Sequence, residues 1–135
     1  MQYRRLGCSG LQVSELSLGF WVTYHNQVNV AAARELMAAA FDAGINFFDN
    51  AEVYAGGESE TVMGKALKAL NWPRLNYIVS TKFFWGLHND GPTANKKDTL
   101  NCKYLNQAMD GSLQRLGLDF IDLNLLPSPR PSYAH

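Results

Sequence analysis

Cysteine is scarce in this chain, with Cys8 and Cys102 the two among 135 residues. They form neither a CxxC pair nor a disulfide framework, and reduced thiols of a cytoplasmic protein are expected. An excess of one charge is also lacking, since 12 Lys+Arg face 12 Asp+Glu. A nucleic-acid binder would carry a basic excess or a basic face, so no nucleic-acid partner is expected. No apolar run reaches the roughly 18 residues that would mark a bilayer-crossing helix. Nor does an apolar stretch follow Arg4-Arg5, so neither membrane insertion nor a secretory signal is expected. His25 and His88 lie in polar loop contexts without paired ligand spacing, and no metal site is expected. Charged residues make up 18%, below the usual quarter, yet 47% hydrophobic and 12% aromatic residues supply a core and exclude disorder. The length allows one ordinary domain.

What is present is an alternation. Strand-like runs appear at Leu16 to Leu18, Ile45 to Asp49, Ile78 to Lys82 and Phe120 to Leu123. Helix-like stretches separate them. Val30 to Ala43 is alanine-rich, carries Met37 and Phe41 four apart, and stops at Gly44. Glu58 to Leu70 aligns Val62, Met63, Ala66, Leu67 and Leu70 on one stripe. Lys103 to Leu116 aligns Leu105, Met109, Leu113 and Leu116 and stops at Gly117. Apolar strands alternating with amphipathic helices predict βα units on a parallel sheet. Ahead of them, Gln2 to Leu6 and Gln12 to Leu16 flank Gly7 and Gly10 and predict a small hairpin.

Four strands and three helices make about half of a (β/α)₈ TIM barrel, whose full form needs roughly 250 residues. An open flavodoxin-like sheet fits the length better and stands as the alternative. Phosphate loops are missing: Gly57 to Lys65 does not meet GxxxxGK[ST], and no GxGxxG follows a strand.

Chemistry-bearing residues fall where strands end. Asp49 closes one predicted strand, Tyr54 lies in the loop that leaves it, and Lys82 closes the next strand. Neighbouring parallel strands bring the three to the face where such barrels keep their active sites. A tyrosine protonates a carbonyl oxygen well when an ammonium stabilises its phenolate and a carboxylate holds that ammonium in place. Alone, Asp49 and Lys82 read as a structural ion pair; together with Tyr54 they read as a site.

Tyr3-Arg4-Arg5-Leu6-Gly7, Ser9-Gly10-Leu11, Val13-Ser14, Leu16-Ser17-Leu18-Gly19 and Phe47-Phe48-Asp49-Asn50-Ala51-Glu52-Val53-Tyr54 occur in that order. Met63-Gly64-Lys65-Ala66-Leu67, Ser80-Thr81-Lys82 and Ser112-Leu113-Gln114-Arg115-Leu116 follow. Together these segments resemble the aldo-keto reductase superfamily, and within it the voltage-gated potassium channel β-subunit group and its microbial and fungal relatives. The resemblance implies a (β/α)₈ barrel that reduces small-molecule aldehydes and ketones with NADPH through an Asp, Tyr, Lys and His tetrad. Three members map to Asp49, Lys82 and Tyr54, with Tyr54 as proton donor. It further implies that Trp21, Gln27, Asp49 and Tyr54 contact the dinucleotide. Taken without the resemblance, Trp21 reads as a packing residue and Gln27 as a solvated loop amide. The polar stretch Gly86 to Asn101 reads equally as a substrate-side loop and as an ordinary exposed one.

The match runs to Leu123, so residues 1–123 are expected to form the N-terminal half of the reductase domain and residues 124–135 a divergent tail. Relatives end their fourth strand with a segment like DLVYCHRPDP, and Pro127 stands where the histidine would be. Codon degeneracy permits Asn124 to His135 to be read, one base out of frame, as a segment close to that pattern. Three readings result: a carbonyl reductase represented by its N-terminal half and impaired in catalysis; a channel β-subunit-like regulator that binds cofactor; a truncated product without function. The two strands at the ends of a half barrel are expected to promote self-association.

Overall fold

The computed structural model describes residues 1–21, 29–87, 90–92 and 94–127. The chain opens with the predicted hairpin, β1 (Tyr3–Arg5) antiparallel to β2 (Gln12–Ser14). There follow β3 (Leu18–Gly19), α1 (Val30–Asp42), β4 (Phe47–Asp49), α2 (Glu58–Leu70), β5 (Ile78–Lys82), α3 (Cys102–Leu116) and β6 (Leu123–Leu125), with 3₁₀ turns at Tyr54–Gly57 and Arg74–Asn76. The helices begin and end where local chemistry dictates. Asn29 Oδ1 accepts from the Ala32 N–H at 2.9 Å and Asn101 Oδ1 from the Tyr104 N–H at 2.9 Å, each satisfying an orphan donor. Asn71 and Gly117 terminate α2 and α3 in the left-handed conformation.

Strands β3, β4, β5 and β6 form one parallel sheet in sequence order. That order decides between the two predicted architectures. Right-handed crossovers that never reverse direction put successive helices on the same side, as in a barrel, whereas a flavodoxin-like sheet needs a switch point. Accordingly α1 packs on α2, and α2 on α3. The architecture is the N-terminal half of a (β/α)₈ barrel.

The core lies between sheet and helices. Phe48 and Val79 from the strands meet Met37 of α1, Met63, Ala66 and Leu67 of α2, and Leu116 of α3, all buried. Trp72 closes this cluster, stacking on Phe41 with ring centroids 4.1 Å apart. Gly64 lets α2 approach the end of α3: a Cβ there would lie 2.5 Å from the Leu116 carbonyl oxygen.

Three strands differ from prediction in their bounds, for local reasons. The first barrel strand is Leu18–Gly19 rather than Leu16 to Leu18, because the Leu16 carbonyl accepts the Ser14 hydroxyl at 2.6 Å and is held in a turn. The second starts at Phe47 rather than Ile45, because Asn46 bonds to the hairpin through Ser14 and the Gln12 carbonyl. The fourth is Leu123–Leu125 rather than Phe120 to Leu123. There Asp122 Oδ2 accepts the Val79 N–H at 2.8 Å and also pairs with Arg74 at 2.6 Å, so a side chain takes the place of a ladder carbonyl.

Candidate active site

Parallel pairing sets Asp49 opposite Ser80, two residues before Lys82 on the same strand. Side chains two apart along a strand share a face, so Ser80 and Lys82 both project towards Asp49. Lys82 Nζ donates to Asp49 Oδ2 at 2.7 Å, to the Asn50 carbonyl at 2.8 Å and to the Tyr54 hydroxyl at 3.3 Å. The ammonium's three N–H groups are thereby engaged. The other Asp49 oxygen, Oδ1, accepts from Ser80 Oγ at 2.5 Å.

Tyr54 reaches this cluster because the loop after β4 folds back over the sheet end. The Asn50 N–H donates to the Ser80 carbonyl at 3.0 Å and the Glu52 N–H to the Lys82 carbonyl at 3.3 Å. Immediately after Tyr54 the chain turns through left-handed backbone at Ala55, Gly56 and Gly57, with φ of 51°, 63° and 93°. Ala55 is a non-glycine residue there, a strain of order 1 kcal/mol located beside Tyr54. The Trp21 indole is 69% exposed and stacks against the Tyr54 ring, centroids 6.1 Å apart at 19°. With Lys82 donating to the phenol oxygen, the Tyr54 proton is free to be given to another acceptor.

Asp49, Tyr54, Lys82 and Trp21 are thus brought together. Gln27 lies outside the described residues, as do His25 and His88. Pro127 is half-buried, two residues beyond β6, and carries no side-chain donor or acceptor. Among the described residues no cluster of three His, Cys, Asp or Glu side chains is arranged to hold a metal ion. Nor is any described helix long and apolar enough to cross a membrane.

Sequence reasoning missed the groups that support this cluster. Ser80 was detectable from strand alternation, standing two residues before Lys82. The Asn50 carbonyl had no signal. Behind the sheet, fully buried Glu60 accepts from Thr81 Oγ1 at 2.5 Å, Ser112 Oγ at 3.0 Å and Arg115 Nε at 2.7 Å, tying β5 to α2 and α3. Glu52 was also missed. Burial pushes its carboxyl up from 4.5 to about 7, with the Gly86 N–H and the Arg115 guanidinium pulling the other way.

The profile of the aldo/keto reductase family matches residues 15–134. The probable voltage-gated potassium channel subunit beta of Oryza sativa subsp. japonica is 51% identical over 123 residues, covering 91% of this chain and 36% of the relative. Its Arabidopsis thaliana counterpart is 47% identical over 123 residues, again 91% and 36%. The solved holo form of aldo-keto reductase AKR11C1 from Bacillus halodurans superposes with a TM-score of 0.75 at 33% identity, covering 93% of this chain and 40% of that one. The chain therefore spans little more than a third of the curated relatives' length.

Proposed function

The chain belongs to the aldo/keto reductase family, and from that premise we propose that Asp49, Tyr54 and Lys82 are the proton-transfer machinery of an NADPH-dependent carbonyl reductase. The observation that carries the reading is Lys82 donating at once to Asp49 and to Tyr54. In this reading Tyr54 gives its hydroxyl proton to the carbonyl oxygen of a small aldehyde or ketone. Lys82, already donating to the phenol oxygen, stabilises the charge left on it. Asp49 fixes Lys82, and Ser80 fixes Asp49.

The residues fit the nicotinamide end of a dinucleotide, because the exposed face of Trp21 flanks Tyr54 above a polar floor. Trp21, Gln27, Asp49 and Tyr54 are the contacts assigned to it. When bound, NADPH supplies the hydride that completes the alcohol. Lys82 has no N–H to spare for a phosphate, so tight binding needs cations or helix N-termini from elsewhere. Residues 1–123 carry the family's pattern in this reading; the family profile runs on to residue 134, but Pro127 stands at the histidine's position, consistent with a shifted frame that the nucleotide sequence tests. Without the histidine that Pro127 replaces, the carbonyl oxygen lacks a second side-chain donor, and catalysis is impaired. The protein acts in the cytoplasm in this reading, and Cys8 and Cys102 are free and exposed.

A chimera joining residues 1–123 to the remainder of the Oryza sativa relative tests the proposal. It should oxidise NADPH in the presence of an aldehyde, and Tyr54→Phe should lower that rate about 100-fold or more. An active Tyr54→Phe chimera would refute the assignment. The second reading, a cofactor-binding regulator of the channel β-subunit kind, is favoured by the names of the two plant relatives. NADPH binding without aldehyde-dependent turnover in the chimera would select it.

A further inference from the structure

Glu52 has no role in the reaction just described, yet it is 2% exposed and joins two loops. Its N–H donates to the carbonyl of Lys82, and its Oε1 accepts from the Gly86 N–H at 3.2 Å. The Phe84 backbone lies close enough to the same carboxyl to favour its ionised form slightly. Through its backbone and its side chain, Glu52 thus holds both the end of β5 at Lys82 and the turn just past Trp85. Phe83 anchors that turn from within the core, and Trp85 stands edge-on to Phe84 at 5.6 Å and is half exposed. Gly86 sits at φ +69° against the far side of the same loop, where a Cβ would lie 2.2 Å from the Lys96 carbonyl. The turn is hemmed in there, so the carboxyl governs its approach to the Tyr54 loop.

The charges around Glu52 leave it without an ionic partner among the described residues. Glu60 of α2 holds Arg115 of α3 at 2.7 Å. Asp90 and Lys96 of the β5–α3 loop pair at 3.9 Å, and both line a cavity of about 590 Å³ that Glu52, Asp110 and Arg115 also line. Neither Asp49, Tyr54 nor Lys82 borders that cavity.

We propose that Glu52 is a positioning residue whose carboxyl clamps the Phe84–Gly86 turn to the loop carrying Tyr54, and so sets where Trp85 stands beside the strand ends. Its bearing on catalysis rests on the reading of Tyr54 and Lys82 given above; the clamp itself does not. An ionised carboxylate accepts backbone N–H groups more strongly than a protonated one, which keeps one oxygen occupied with its own proton. Burial outweighs that preference and raises the carboxyl, so the clamped arrangement holds the protonated form better than an opened one. The clamp therefore loosens as the pH rises through about 7.

The test is fluorine NMR of the protein labelled with 5-fluorotryptophan, Trp85 being assigned from its absence in Trp85→Phe. The Trp85 resonance should titrate with the midpoint of the Glu52 carboxyl carbon, followed by ¹³C NMR of the same protein. Glu52→Gln should abolish that titration and slow amide exchange at Phe84 and Gly86 about tenfold relative to wild type above neutral pH. His88 stands two residues past Gly86 in the sequence, so the titration must survive His88→Gln. A Trp85 resonance that ignores pH, follows His88, titrates unchanged in Glu52→Gln or has a midpoint apart from that of Glu52 overturns the proposal. The two wild-type midpoints decide even where Glu52→Gln does not fold. None of these readouts needs cofactor or turnover, so an inactive chimera leaves the clamp standing, and a failed clamp leaves Tyr54 standing.

Discussion

Glu60 offers the sharpest test of how this half barrel is held together. Its carboxylate is 0% exposed and receives three donors, whereas its partner Arg115 is 22% exposed at the side chain. The asymmetry matters because breaking a buried ion pair costs about 3–5 kcal/mol, mostly from the charge left behind in the interior. Arg115→Leu strands Glu60 with two hydroxyl donors and no counter-charge, and the full cost of about 3–5 kcal/mol is expected. Glu60→Leu strands a guanidinium that already touches solvent and can swing towards it, so a smaller loss is expected, about 1–3 kcal/mol for the unpaired Thr81 and Ser112 hydroxyls. The double variant removes both charges and should recover much of the loss, giving a coupling energy of at least about 2 kcal/mol. Urea denaturation followed by circular dichroism measures all four corners of the cycle. Equal costs for the two single variants, or a coupling below about 0.5 kcal/mol, would refute the reasoning.

Glu52 should give stability an unusual pH dependence. Its folded-state value of about 7 lies above the ordinary 4.5, so the folded chain binds a proton that the unfolded chain does not. The contribution is fully present below the lower value and is lost as the pH rises through the upper one, roughly 3 kcal/mol in all. Denaturant midpoints across this range should fall for wild type and stay flat for Glu52→Gln; parallel curves would contradict the assignment. Gly64→Ala should destabilise by about 1–3 kcal/mol despite alanine's better helix propensity, because the added methyl meets the Leu116 carbonyl at 2.5 Å. A rise in the thermal midpoint would show that α2 and α3 can separate freely. Strands β3 and β6 each have one neighbour in the described sheet, and Leu125, Leu126 and Phe120 are exposed near one of those edges. Concentration-dependent sedimentation is expected; a monomer at every concentration would exclude edge pairing. Isothermal calorimetry should find NADPH binding to the chain weaker than millimolar order, since the described site has no unengaged cation for the phosphates.

Helices were legible in the sequence because their signals are local. The stripe from Val62 to Leu70 and the stop at Gly117 lie within a few residues of what they control, and α2 and α3 formed within one residue of the predicted spans. Asp49, Tyr54 and Lys82 could be placed together because a βα unit returns each strand end to the same side of the sheet. Strand bounds were less legible. They depend on Asn46, Ser14 and Asp122 competing for backbone groups more than 30 residues away, and no local pattern encodes that competition.

The supporting shell was decided by tertiary structure alone. In the sequence Glu60 looks like any acid in the first turn of a helix, favourable to the dipole and facing water. Only the packing of α3 against α2 brings Arg115 and Ser112 to it, across separations of 55 and 52 residues, and makes a buried charge tolerable. The same holds for Ser80 on Asp49 and for Glu52 on Gly86. Each contact joins groups whose meeting follows from parallel register and loop closure, and hydrogen bonds reward that meeting only once the chain has given up the entropy of bringing distant segments together.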